Sequence, residues 1–418
     1  MRCCSGMKPI SPHTIELVQS LAANPGLLAR IFERPAAPSS AVLDQIFETG
    51  ELEAVLGLLS VALSGPGPSR DPMLALVDRM VRAATPEALA WLDQRARTLS
   101  EWRQEWYWAP GVTVARVRSL APGSASAAGL ASLHPSGYVR GAAVERLVAS
   151  DDSLALAFLL IRANDWVAPV RSAAVAGIEA TLSRRGASPF VPWLTLVDRL
   201  PGLWRNSLRP LAERILAALA LPDAAEALEE GCRSSSRGVR RRCVETAMAA
   251  KTFDLCPVVR AGLEDPDPVV RTLVAKGAAK ALSWAELEPL VEPMLVSTTP
   301  AARYTALDIL WTHRRAGARE VLERSLTDPH SHVRGTARWL LKGEPGFDAA
   351  AAQRAALSRA SNADLVGALE GLGEVGDARD AAGAVPRSPP GTRTSGRHTP
   401  PRSGRLRRAS RGADRGAF

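Results

Sequence analysis

Apolar residues recur along this chain at intervals of three and four, the spacing of a helix that buries one face. The clearest stripe is built around an arginine that keeps returning: Arg140, Arg171, Arg209, Arg240, Arg271, Arg303 and Arg334, separated by 31, 38, 31, 31, 32 and 31 residues. Before it stands Val139, Val170, Leu208, Val239, Val270, Ala302 or Val333. Three positions after it come Ala143, Ala174, Ala212, Cys243, Val274, Ala306 and Ala337, and seven after it Leu147, Ile178, Leu216, Ala247, Ala278, Leu310 and Leu341. These columns are four residues apart and share one helical face. The small middle column lets a neighbouring helix approach, and the larger aliphatics fill the space on either side.

A second, less regular amphipathic segment precedes each stripe: Leu154 to Ala163, Phe190 to Leu200, Ala224 to Gly231, Phe253 to Leu263, Ala285 to Val296 and Arg319 to Leu326. Turn formers such as Asp265-Pro266-Asp267-Pro268 and Asp328-Pro329 separate the two. The unit is therefore a pair of short helices, and neither can bury its stripe without the neighbouring units. In three units an acid lies six residues before the arginine, namely Asp165, Asp265 and Asp328. Such a carboxylate can cap the following helix and accept a guanidinium from its own or an adjacent unit. A structural role is expected for the seven arginines and the three aspartates.

The pattern D-x-x-x-V-R-x-x-A-x-x-x-L, clearest from Asp265 to Ala278 and from Asp328 to Leu341, resembles the HEAT-repeat family, in particular the short bacterial variety named after phycobilisome bilin lyases. The resemblance implies an all-α fold, a right-handed α-solenoid or armadillo-like superhelix, and an interaction role. It spans 124–382, about eight repeats, and ends with a variant unit in which Leu365, Ala368 and Leu372 take the columns. Residues 1–11 are expected to be a flexible N-terminus, 12–123 a helical N-terminal cap, and 383–418 a disordered tail. Within the cap, helices are expected over Thr14 to Phe32, Ala41 to Leu63, Met73 to Ala84 and from Thr85-Pro86-Glu87 onward, with an aromatic run from Trp102 to Trp108.

Charge changes this picture only at one end. The chain carries +9, but nine arginines and one acid between Gly383 and Phe418 supply +8, which leaves about +1 for the rest. Any attraction to nucleic acid is thus expected through the basic tail alone. That tail is either a genuine basic arm or the product of an out-of-frame or truncated end. Five cysteines without a CxxC pair, no secretory signal and no apolar run near 20 residues point to a reducing cytoplasmic setting and no membrane.

Candidate chemistry is sparse. Gly371-Leu372-Gly373-Glu374-Val375-Gly376 matches G-x-G-x-x-G in form, but it closes a repeat helix and does not follow a strand. Asp328, His330 and His332 crowd one turn without a second cluster to complete a metal site. No G-x-S-x-G and no His-Glu pair occurs. The expected catalytic residues, metal ligands and cofactors are therefore none. The expected partner is a protein, received on positions one, four, five and eight after the arginines, which are read as lying off the buried stripe. In the later repeats these are Arg241, Glu245, Lys276, Tyr304, Asp308, Trp311, Arg338, Trp339 and Lys342, and the resemblance implies that such helices line the concave side of the solenoid. The competing view is ordinary solvated helix surface with one or two packed tryptophans. Two alternatives to a non-catalytic scaffold remain: a nucleic-acid-binding HEAT-like protein with DNA-glycosylase-like chemistry, and a lyase-type accessory protein.

Overall fold

The computed structural model describes residues 8–22, 40–64, 70–97, 111–203, 207–250, 254–361, 364–377 and 380. Among them the protein is all-helical, with 22 α-helices and no strand. The aromatic run near 102–108, residues 1–7 of the expected flexible N-terminus and the expected disordered tail lie outside the described residues.

Local chemistry starts the helices where the sequence places turn formers. Asp152, Asp254 and Asp267 accept from the backbone N–H two residues on (Leu154 at 2.9 Å, Cys256 at 3.0 Å and Val269 at 3.1 Å). Ser283 and Glu286 form a capping box in front of Trp284–Leu295. Proline opens Pro268–Ala281 and Pro300–His313, where its missing N–H costs nothing.

The second helices then pack in a row. Gly137–Val148 lies against Ala168–Arg185, and a second run, Arg237–Ala249, Pro268–Ala281, Pro300–His313, Ser331–Leu341 and Leu365–Val375, packs each against the next. The three expected columns are buried almost throughout: Val139, Val239 and Val333 before the arginine, Ala143 to Ala337 three after it, and Leu147, Ile178 and Leu341 seven after it. Gly177 and Gly277, both six after an arginine, mark the tightest approach, since a Cβ there would stand 2.6 Å from Val148 Cγ2 and 2.6 Å from Met248 Sδ of the preceding unit. One apolar core runs without a break from Ile10 to Ile309, and a second cluster continues from Leu307 to Ala356.

Between Arg171 and Arg209 the row is interrupted. The expected helix over Phe190 to Leu200 is instead a 3-10 turn (Ser188–Trp193), a single α-turn (Leu194–Val197) and another 3-10 turn (Leu200–Gly202). Pro189, Pro192 and Pro201 remove the N–H groups that a continuous helix needs. Helix Arg209–Leu219 packs mainly on the short turns Leu200–Gly202 and Pro222–Ala224, while Arg237–Ala249 packs on Leu194–Val197 and Ser188–Trp193.

The N-terminal helices join the same core. The single helix expected over Ala41 to Leu63 is two, Ser40–Thr49 and Ala54–Ser64, broken at Gly50, whose φ of 65° stops the first of them. The Thr85 hydroxyl caps Pro86–Arg97 by accepting from Ala88 N–H at 3.2 Å. This helix does not stand at the end of the row. It crosses Ser153–Arg162 and Leu194–Val197 and reaches Gly238, where a Cβ would lie 3.0 Å from Glu87 Oε1.

Close approach at the sixth position gives a stability test. Gly177→Ala drives a methyl into Val148 and is expected to lower unfolding free energy by about 1–3 kcal/mol. Gly335→Ala, in a helix interior with open space around its Cβ, is expected to raise it by about 0.5–1 kcal/mol. Urea denaturation of the two variants checks both signs.

Candidate functional site

The recurring arginines stand at the starts of the second helices, close to the preceding turns, where backbone carbonyls need donors. Arg140, Arg171, Arg240, Arg303 and Arg334 each donate from Nη1 to the carbonyl six residues earlier (His134, Asp165, Ser234, Ser297 and Asp328) at 2.6–3.0 Å, and Arg271 does the same to Asp265. The other edge of the guanidinium reaches forward into the next unit. Arg140 grips Asp165 at 2.9 and 3.0 Å, Arg240 grips Asp265 at 2.8 and 3.2 Å, and Arg303 grips Asp328 at 2.7 and 2.8 Å, each 25 residues on. The same carboxylates accept from the backbone N–H two residues later (Val167, Asp267 and His330) and so hold the turn themselves.

Where the aspartate is missing, other groups take its place. Arg271 donates to the Thr299 hydroxyl at 2.5 Å, and Arg334 reaches Glu370 at 3.1 Å and Glu374 in the last helix. Arg209, at the first turn of the displaced helix, is exposed. Asp328 is engaged by Arg303 and His330 Nδ1 accepts from the His332 N–H, so that turn is organised internally. Among the described residues no group of three His, Cys, Asp or Glu is placed to hold a metal ion. Gly371 to Gly376 falls within and just after helix Leu365–Val375. Burial pushes the Cys232 thiol up to about 12 and raises that of Cys243 as well, which keeps both protonated and unreactive.

The first rung of this ladder is the most deeply buried. Asp165 accepts from both Arg140 and Arg162, and Arg162, 1 % exposed, also meets Asp93 of the crossing helix Pro86–Arg97. Burial opposes ionisation of Asp165, but its bonds to Arg140 and the Arg162 charge outweigh it and leave the carboxyl below its usual value. Burial, aided by Arg140, pushes His134 down to about 4. No local pattern marks Asp93 as a partner, since it lies outside the periodic body. Arg162 could have been noticed as a lone charge ending the apolar run Leu154 to Ile161.

The outward face is narrower than expected. Four after the arginine, Val144, Val244, Ala275 and Leu307 are buried, because that position turns toward the next unit, so it belongs to the packed stripe and not to the free surface. The position five after it is exposed in all seven units: Glu145, Ala176, Arg214, Glu245, Lys276, Asp308 and Trp339. Position one is half-buried or exposed. Arg241 is committed to Asp267 at 2.5 and 2.9 Å, and Tyr304 lies beneath Lys276 Nζ at 6.0 Å and edge-on to His332 at 6.5 Å. Glu245 pairs with Arg242 at 3.0 Å. Trp311 packs on the second core cluster with the Arg315 guanidinium 4.6 Å above it, and Arg338 reaches Glu374. Lys342 is exposed, and Trp339 is 72 % exposed. The nine candidates thus divide: Lys276, Tyr304, Asp308, Trp339 and Lys342 offer surface, while Arg241, Glu245, Trp311 and Arg338 serve contacts between or within units.

No family model matches the chain, and no curated protein matches it.

Two outcomes test the buried rung. Asp165→Ala takes its carboxylate from buried Arg140 and leaves buried Arg162 with Asp93 alone, and is expected to cost about 3–5 kcal/mol, read by thermal or urea unfolding. His134 has a folded value below its unfolded 6.5, so its contribution is complete above that pH and is lost as pH falls toward 4. The urea midpoint should therefore drop across this window, and His134→Asn should flatten the drop.

Proposed function

We propose that the chain is a right-handed α-solenoid of the HEAT-like kind, resembling the short variety named after phycobilisome lyases, and that it works in the cytoplasm as a non-catalytic scaffold for a protein partner. Support for the solenoid comes from the seven-fold arginine register, the forward reach of five of the seven guanidinium groups into the following unit, and the row of second helices. A repeating unit that exposes the same position every time offers a partner a regular line of side chains.

The observation that carries the reading is the exposed fifth position. In the last three units it presents Lys276, Asp308 and Trp339, with Tyr304 held under the lysine. An indole left 72 % in water, at the register position that carries a lysine and an aspartate in the two preceding units, has the composition of an interface centre. Along the second run the line alternates in sign, Glu245, Lys276, Asp308, and that favours a protein over a phosphate backbone, which needs one sign throughout. Among the described residues no helix is long and apolar enough to cross a membrane.

Site-specific photocrosslinking in the native cell tests the reading. A benzoylphenylalanine placed at 276, 308 or 339 is expected to give one shared protein adduct. The same group at Arg324, exposed on the other helix layer, is expected to give none. Trp339→Ala should lower the yield of the 276 adduct at least tenfold with helical content unchanged. Equal labelling from 324, or none from all three positions, contradicts the proposal.

A further inference from the structure

The buried rung holds more positive charge than its aspartates balance. Arg97, in the last turn of the crossing helix Pro86–Arg97, bonds Asp93 at 3.2 and 3.3 Å. Asp93 also meets Arg162, Arg162 reaches Asp165 at 3.0 Å, and Asp165 is gripped by Arg140. Three guanidinium groups thus share two carboxylates, and one positive charge is left over where Arg140, Arg162 and Asp165 are buried. Burial pushes the Arg162 guanidinium below its usual value, and the charges of Arg97 and Arg140 push the same way.

Beside these charges lies a hollow of about 340 Å³, the size of a small-ligand site. Arg97, Arg140 and Arg162 line it together with Trp166, Leu133 and Ala96, and among the described residues no carboxylate does. Donors remain in that lining. Arg97 spends its Nε and one Nη on Asp93, and its other Nη has no partner among the described residues. The Nε of Arg162, a side chain only 1 % exposed, has no acceptor either, and a buried N–H in that state calls for one. Trp166 is 62 % exposed, with the Arg140 guanidinium 5.2 Å from its ring centre. An indole held in this way is a platform on which a second flat ring can stack.

We infer that this hollow binds a small phosphate monoester carrying a flat ring, of the nucleoside monophosphate kind. The phosphate accepts from the spare Nη of Arg97 and from Arg162, and supplies the negative charge that the rung lacks. The ring lies against Trp166. Guanidinium groups arriving from three helices, Pro86–Arg97, Gly137–Val148 and Ser153–Arg162, suit a tetrahedral anion with three terminal oxygens better than a planar carboxylate with two. None of these residues belongs to the face around Trp339, so this site stands or falls independently of the protein partner proposed above.

Isothermal titration calorimetry of the full chain with adenosine monophosphate is the test. Saturable binding is expected, and adenosine and inorganic phosphate, the two halves of the probe, should each bind at least tenfold more weakly. Arg97→Gln and Trp166→Ala change exposed residues, so the fold should survive, as circular dichroism will show. Each should weaken the nucleotide at least tenfold, whereas Arg260→Gln and Trp339→Ala should leave it unchanged. Attraction to the arginine-rich tail would be blind to Arg97→Gln and Trp166→Ala alike. His134 also lines the hollow, and its ring signals in the NMR spectrum at neutral pH should move as the nucleotide saturates. No saturable binding, inorganic phosphate binding as tightly as the nucleotide, or an affinity untouched by Arg97→Gln or by Trp166→Ala overturns the inference.

Discussion

A guanidinium that spans two helix pairs is the contact on which this architecture depends. A tight turn between short helices leaves carbonyls without partners, and one edge of six of the seven recurring arginines supplies the missing donor to the carbonyl six residues behind it. The other edge must then be neutralised at low solvent exposure, and the aspartate 25 residues ahead does this in three units. That carboxylate is already fixed by the N–H two residues on, so the pair joins two pre-formed turns. A planar fork meeting a planar carboxylate fixes orientation as well as distance. Replacing such a pair by apolar groups can be harmless, but removing half of it leaves an uncompensated charge, so the spacing of the units is set by the need to keep both halves together.

The places where the ladder changes are where the molecule departs from regular stacking. Arg171 has no aspartate 25 residues ahead, and there the proline-rich stretch from Pro189 to Pro201 breaks the first helix and displaces Arg209–Leu219 from the row. Helix Pro86–Arg97 lies across this region and brings Asp93 to Arg162, so the most buried charges are shared between the periodic body and the aperiodic N-terminal part. At the other end Arg334 turns to Glu370 and Glu374 of the last helix. Leu369 there occupies the fourth position, which is buried in most of the earlier units, yet it is 36 % exposed because no described unit follows.

Most of this fold could be read from residue order. The three buried columns, the two-helix unit and the aspartate opposite the arginine follow from period and residue size, because each unit solves the same packing problem with the same residues. The break at Gly50 and the collapse of Phe190 to Leu200 into short turns were signalled by Gly and Pro, whose effect an apolar pattern can mask. The fourth position differs from its sequence expectation, since on an isolated helix it lies beside the buried stripe and only the neighbouring unit decides that it is covered. The crossing of Pro86–Arg97 had no local signal, as Asp93 and Arg162 are 69 residues apart. The candidate face narrowed for the same reason: Arg241 and Arg338 read as free cations in the sequence, and their carboxylate partners come from other units.

The most direct measurement is a double-mutant cycle across one rung, Arg303→Met and Asp328→Asn singly and together, by urea unfolding. If the guanidinium joins successive units, each single change destabilises and the pair is coupled by more than about 1 kcal/mol, the double mutant losing less than the sum. Additive effects within about 0.3–0.5 kcal/mol would mean that the two side chains lie near each other without holding the units together, and would contradict the account.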